Sequence, residues 1–268
     1  MTSEVFAPAK VNLTLHVTGQ RQDGYHLIDS IVAFADVGDR LWITPAPKTS
    51  IKVTGPFAQG VPVDAGNLVW AAMQLAGKTA HIAIEKNLPH GGGIGGGSSD
   101  AAAILRHYGV RERAASLGAD VPVCLAASAQ RMRGIGNDLC LMSSLPPVYA
   151  VLVNPGIHVA TADVFKALQI RDNPPMPQDI PAFETSVGFI EWLRQQRNDL
   201  KPAAIVIAPE IAGVLAQMEQ CRQIALARMS GSGSTCFGLC QSREDAVASE
   251  ILLAERHPDW WIRACRLS

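Results

Sequence analysis

The chain carries almost no net charge: 23 lysines and arginines against 24 aspartates and glutamates leave a formal −1. With no global basic field, binding to nucleic acid through a broad cationic surface is excluded. The six cysteines (124, 140, 221, 236, 240, 265) contain no C-x-x-C pair. Zinc frameworks and disulfide scaffolds are therefore not indicated, and the cysteines read as small core residues of a reducing compartment. The first residues, MTSEVFAPAK, lack the basic start and apolar run of a signal peptide. No uninterrupted apolar stretch reaches the length of a membrane span, and no internal repeat is evident. The expectation is a soluble, cytoplasmic protein without a nucleic-acid or membrane partner. What remains is ordinary for a globular protein with a real core: 48% hydrophobic and 18% charged residues. Its 268 residues suffice for one large domain or two modest ones.

Against this background one stretch stands out, Pro89 to Ala103, PHGGGIGGGSSDAAA. Six of the seven residues from Gly91 to Gly97 are glycine. Glycine adopts backbone angles that other residues avoid, so this run can turn its N–H groups toward one point. Ser98, Ser99 and Asp100 are good helix N-caps, and the alanine-rich run after them is helix-forming. A glycine nest feeding a helix N-terminus is an anion site, and phosphate is the usual anion. The Walker A pattern is absent, because no lysine follows the glycines. The dinucleotide fingerprint matches by letter only, and no acidic residue follows at its spacing. A flexible linker is the plain alternative, but linkers rarely end in a cap and a helix.

From Ala9 to Gly19 the sequence alternates strictly. Val11, Leu13, Leu15 and Val17 face one way, and Lys10, Asn12, Thr14 and His16 the other, which reads as a half-buried strand. The polar face is open to two readings, solvent or a site. Arg21 to Gly24 is a turn signal. Residues 30–35, 41–44 and 51–54 read as further short strands, and residues 71–76 as a helix stopped at Gly77. The strand His81–Lys86 delivers the chain to the glycine loop. Residues 110–116 are charged and helical in composition. Asp120 precedes Val-Pro-Val in apolar surroundings, either as a cap for a helix begun by Pro122 or as a functional carboxylate. Gly134-x-Gly136 reads as a hairpin turn.

Leu145-Pro146-Pro147 marks a boundary, giving domains 1–146 and 147–268. The second half opens with the strand 149–153 and continues with helices at 161–168, 189–194 and 211–221. Residues 205–207 could be strand or helix. A second glycine motif, Gly231-Ser232-Gly233-Ser234, precedes a strand at 237–240, a helix at 244–255 and a closing strand at 261–265. The fold class is α+β.

Three motifs now stand in order: Pro8-Ala9-Lys10-Val11-Asn12-Leu13, the loop Gly91 to Asp100, and Gly231 to Ser234. Together they resemble the GHMP small-molecule kinases. PAKVNLTLHVTGQRQDGYH, GGGIGGGSSDAA and Leu117-Gly118-Ala119-Asp120-Val121-Pro122 resemble the branch acting on a cytidine-diphosphate-linked methylerythritol in the non-mevalonate isoprenoid route. The resemblance spans essentially the whole chain. It implies a two-domain fold with the active site in the interdomain cleft, and transfer of the γ-phosphate of ATP to the 2-hydroxyl of that acceptor. It implies that Pro89, His90, Gly91, Gly92, Gly93, Ile94, Gly95, Gly96, Gly97, Ser98 and Ser99 hold the ATP phosphates, with Asn67 near the adenine. Asp120 would take the hydroxyl proton, with Lys10 beside it. Asn12, Tyr25, His26 and Phe165 would bind the acceptor, Tyr25 and Phe165 flanking the cytosine and His26 bonding its edge.

That assignment agrees with the chemistry. Phosphoryl transfer needs positioning, charge neutralisation and one group to accept the alcohol's proton. A lysine beside that group offsets charge on the phosphoryl oxygens. Mg²⁺ is expected because cellular ATP is a magnesium complex; no side chain is assigned as its ligand, though Ser98 or Ser99 could reach it. The partners are a small-molecule substrate and ATP, and the protein is expected to be a monomer or weak homodimer. Competing readings are another GHMP kinase (homoserine, mevalonate or sugar) and a non-catalytic nucleotide-binding protein.

Overall fold

Leu13 N–H meets Ile31 C=O at 2.8 Å, and one residue on, Thr14 Oγ1 takes the Ile31 N–H at 2.8 Å. This side-chain substitution interrupts the first long alternating segment. Instead of one strand there are two, β1 (Ser3–Asn12) and β2 (His16–Gln20). The computed structural model describes residues 1–142 and 145–268. After β2 come β3 (His26–Pro45), β4 (Ser50–Thr54), α1 (Leu68–Ala76), β5 (Ala80–Glu85), α2 (Gly96–His107) and α3 (Val121–Ala126). Then follow β6 (Gln130–Gly134), β7 (Asp138–Leu141), β8 (Val148–Asn154), α4 (Thr161–Lys166), α5 (Ser186–Arg194), α6 (Lys201–Ile207) and α7 (Glu210–Glu219). The chain closes with β9 (Ile224–Met229), β10 (Cys236–Cys240), α8 (Arg243–Arg256) and β11 (Trp261–Leu267).

These elements form two compact units interleaved along the sequence. The first holds Met1–Lys10, Val37–His90 and Gly95–Ala127. Its sheet joins the second half of β3 to β5 in antiparallel register, Arg40 opposite Glu85 and Pro45 opposite Ala80. β4 lies parallel to β5 on the far side. Residues 41–44 belong to the single 20-residue β3 and are not a separate strand. Gly38 lies within this strand. A Cβ there would fall 2.2 Å from the Ala7 carbonyl oxygen, so the glycine serves close backbone approach of β1. α1 is capped by Asn67, whose side-chain Oδ1 accepts the Val69 N–H, and ends at Gly77 in the left-handed conformation. α1 and α3 pack on α2, burying Val69, Met73, Ala101, Leu105 and Val123. The charged segment 110–116 is not an α-helix; only a 3₁₀ turn forms, at Ala114–Leu117.

The second unit holds Val11–Asp36, Gly91–Ile94 and Ser128–Ser268. β2 and β6 flank the first half of β3, and the β6–β7 hairpin turns over Gly134 and Gly136. β11, β8, β10 and β9 form an antiparallel run in that order. One core cluster lies over it, including Val151, Val153, Val164, Leu200, Ile211, Val214, Met218 and Met229. Residues 205–207 are helical, ending α6, which has a proline in its first turn. Five cysteines are buried and Cys140 is exposed, so the reading of all six as core residues holds for five. Among the described residues, no helix is long and apolar enough to cross a membrane.

Candidate active site

In the first unit, β1 carries Lys10 inward; its side chain is only 5% exposed. Its Nζ lies 3.0 Å from Asp120 Oδ2, and the Asp120 side chain is 40% exposed. Asp120 occupies the N-cap position of α3, with Pro122 in the first turn, yet makes no capping hydrogen bond. The two readings of this aspartate are thereby separated: Pro122 helps start the helix, while the carboxylate turns to the lysine. Lys10, Asn12, Thr14 and His16 are all buried, so the polar face of that segment does not face solvent.

α2 begins two residues before Ser98. Its N-cap is Gly95, at φ 66° and ψ 24°, without a side-chain cap. Ser98 and Ser99 are therefore inside the first turn and do not cap it. The left-handed glycine can replace a capping side chain because its own backbone reverses the chain into the helix. A Cβ on Gly95 would lie 3.3 Å from Lys10 Cβ and Cε, so the loop exit rests on the lysine stem. The first N–H groups of α2 have no acceptor within the helix, the arrangement that suits an anion. Ser99 Oγ is buried with no hydrogen-bond partner among the described residues. The Asn67 side chain is engaged in local structure, donating to the Pro62 carbonyl at 2.7 Å as well as capping α1.

Beneath this turn lies a cluster that the sequence reading did not single out. Lys86 Nζ hydrogen-bonds Asp39 Oδ2 and lies 2.7 Å from Asp100 Oδ2. Burial pushes the Asp100 carboxyl up to about 7, against the pull of Lys86 and with the help of Asp39. Burial alone would lower the Lys86 ammonium, but the two carboxylates outweigh it and hold it above its ordinary value. The sequence signal was faint, a lysine closing an apolar strand.

In the second unit, Gly91 and Gly93 have φ of 60° and 73°. Gly95, in the first unit, is left-handed as well. The first part of the loop is held by the second glycine motif. Thr235 N–H donates to Gly92 C=O at 3.0 Å, and Ser230 Oγ to Gly93 C=O at 3.2 Å. Gly233 N–H also donates to Ser230 C=O at 2.9 Å, so this motif is both a tight turn and a support. A Cβ on Gly93 would sit 2.7 Å from the carbonyl oxygens of Ser230 and Gly233, so only glycine fits. Asn12 N–H donates to Ser230 Oγ at 3.1 Å, and Asn12 Nδ2 to Ser30 Oγ at 2.8 Å.

Also in this unit, His26 stacks on Phe165, ring centroids 4.9 Å apart and planes 26° from parallel. The two were expected around one base; the structure joins them to each other. His26 Nε2 is buried with no hydrogen-bond partner among the described residues. Burial lowers the His26 imidazole's affinity for a proton, and Arg171 lowers it further. The ring is thus neutral at pH 7 and can present a nitrogen to a base edge. Tyr25, the neighbouring residue, is 61% exposed.

Residues 67–127 match the N terminal domain of the GHMP kinases, and residues 180–252 match the GHMP kinases C terminal description. A 4-diphosphocytidyl-2-C-methyl-D-erythritol kinase from Dinoroseobacter shibae is 53% identical over 264 residues, covering 96% of this chain and 92% of its own. The crystal structure of a 4-(cytidine 5′-diphospho)-2C-methyl-D-erythritol kinase superposes with a TM-score of 0.76 at 32% identity, covering 99% of both chains. A homoserine kinase from Cytophaga hutchinsonii has a TM-score of 0.62 at 17% identity, covering 98% of this chain and 94% of its own, a likeness of fold alone. The chain belongs to the 4-diphosphocytidyl-2-C-methyl-D-erythritol kinase family of the GHMP kinases.

Proposed function

We propose that this protein transfers the γ-phosphoryl group of ATP to the 2-hydroxyl of 4-diphosphocytidyl-2-C-methyl-D-erythritol, a step of non-mevalonate isoprenoid precursor synthesis. The observation that carries the chemistry is the Lys10–Asp120 pair at 3.0 Å, with the Lys10 stem against Gly95. The backbone N–H groups of the glycine loop and the start of α2 bind the triphosphate. Asp120 accepts the proton of the acceptor hydroxyl as the bond to phosphorus forms. Lys10 offsets the negative charge that the phosphoryl oxygens carry in the transition state. On the acceptor side, Phe165 and Tyr25 offer aromatic faces to the cytosine, His26 Nε2 offers a hydrogen bond to its edge, and Asn12 contacts the reacting end.

Mg²⁺ bound to the nucleotide would supply neutralisation of the phosphate oxygens. No group of three or more His, Cys, Asp or Glu among the described residues could hold a metal ion. The buried, unpartnered Ser99 Oγ fits as a protein donor, and Ser98 stands next to it.

The test is an ADP-release assay with the cytidine-diphosphate-linked acceptor, homoserine and mevalonate offered in parallel. Turnover with the first is expected. Turnover only with one of the others would overturn the acceptor assignment, and ATP binding without any turnover would favour a non-catalytic role.

A further inference from the structure

The glycine loop leaves the sheet after β5 and re-enters structure at α2, and both ends meet at one buried ammonium. Lys86 follows directly on β5, and its side chain is 3% exposed; those of Asp39 and Asp100 are 0% and 5% exposed. Asp39, on β3, bonds Lys86 Nζ through Oδ2. Its other oxygen accepts the backbone N–H groups of Asn87 at 2.6 Å and Leu88 at 2.9 Å. The backbone leaving the strand is thus held at two consecutive residues. On the other side of the loop, Asp100 in α2 receives Lys86 Nζ at 2.7 Å. A Cβ on Gly96 would lie 3.5 Å from Lys86 Nζ and 3.7 Å from Asp39 Oδ2, so the first turn of α2 is seated on the cluster.

Burying three ionisable groups is a poor way to gain stability, because desolvation offsets most of the attraction between them. Nor does the cluster attract phosphate: two carboxylates around one ammonium leave it no net positive charge. What the hydrogen bonds do is fix the two ends of a loop whose glycines have the most backbone freedom to lose. A loop already held in shape gives up less entropy when it closes on a ligand.

We infer that Asp39, Lys86 and Asp100 are positioning residues for the nucleotide site, clamping residues 86–88 to residues 96–100 so that the intervening glycine backbone is shaped before ATP arrives. None of the three touches substrate in this reading. The inference rests on the proposal that the Gly91–Ser99 loop binds the ATP phosphates.

The test compares Asp100→Ala with Asp100→Asn. The alanine variant releases the helix side of the clamp while leaving Lys86 paired to Asp39. The asparagine variant keeps an oxygen for Lys86. ATP Kd by calorimetry is expected to rise about tenfold or more in Asp100→Ala, with the acceptor KM and saturated kcat little changed. Asp100→Asn is expected to restore ATP Kd to near wild type. Should Asp100→Ala be insoluble, Asp39→Asn, which loses one of its acceptor oxygens, is measured the same way with the same expected split. An unchanged ATP Kd in the folded variant would overturn the clamp, as would nucleotide and acceptor KM rising together, or Asp100→Asn as impaired as the alanine variant. A wild-type protein that fails to bind ATP would instead overturn the function proposed for the loop, so the two failures are distinguishable.

Discussion

Lys10 Nζ and Asp120 Oδ2 stand 3.0 Å apart, the lysine buried and the aspartate open to ligands. β1 fixes the cation, and the start of α3 presents the carboxylate. The pair is asymmetric in a way that suits its proposed work. A buried ammonium keeps its position, while a half-open carboxylate can meet a hydroxyl.

Asp120→Asn is expected to lower kcat by at least about 10²-fold, the lower end of what a positioned proton acceptor contributes. ATP affinity should survive, because the phosphate-binding backbone is untouched. The helix should survive too, since Asp120 makes no capping hydrogen bond. ADP release and calorimetric ATP binding measure the two halves separately. A variant with near-normal kcat would remove Asp120 from the proton-transfer role.

The local arrangement around Lys10 was legible in the sequence because it depends on periodicity. Alternation alone put Lys10 and Asn12 on one face, and the glycine run between a strand and a helix announced an anion site. What local patterning could not show was distance. Lys86 is separated by 47 positions from Asp39 and by 14 from Asp100, and no periodicity links them. The same holds for His26 and Phe165, whose stacking is made by the tertiary fold. Gly38 is a further case. Its lack of a side chain lets β1 pass close to β3, a contact no local pattern shows. Gly95 in turn displaced the serines as the N-cap of α2, leaving its first N–H groups without a side-chain cap.

The glycines of the loop are not equivalent, and Gly93 and Gly97 separate two of their reasons. Gly93 has φ 73° and two carbonyl oxygens 2.7 Å from any added Cβ. Its replacement by alanine combines left-handed strain of about 1–2 kcal/mol with a clash. Gly97 lies in α2, and its nearest neighbour would be 3.8 Å from a Cβ. There alanine gains roughly 0.5–1 kcal/mol of helix propensity. Gly93→Ala should lower Tm by several degrees, about 2–4 °C per kcal/mol for a chain near this size, and Gly97→Ala should hold or raise it. Equal melting temperatures for the two variants would contradict the packing described at Gly93.

For the acceptor, Tyr25 and Phe165 allow binding to be told from folding. Tyr25 is largely exposed, so Tyr25→Ala should leave Tm unchanged while raising acceptor KM. Phe165→Ala removes the stack on His26, an interaction of about 0.5–1.5 kcal/mol, and should raise acceptor KM by roughly 3–10-fold with ATP KM unaffected. Steady-state kinetics with each substrate varied in turn give the comparison. A rise in ATP KM in place of acceptor KM would place these rings at the wrong substrate.

Asp100 makes stability itself depend on pH, and in the direction opposite to an ordinary paired carboxylate. Its carboxyl is pushed from 3.8 up to about 7, chiefly by burial. Below its unfolded value both states hold the proton, and the group has no effect. Between about 4 and 7 the unfolded chain releases the proton while the folded chain keeps it. The folded state then binds more protons, so its stability falls as pH rises, by at most about 1.4 kcal/mol per pH unit. Above that window the loss is complete. Asp100→Asn cannot ionise, so its stability relative to wild type should climb through this window and level off above it. Urea unfolding of both proteins across this pH range measures that difference. A difference that stays flat, or that climbs as pH falls, would show that the buried carboxyl is charged throughout and that Lys86 holds it so.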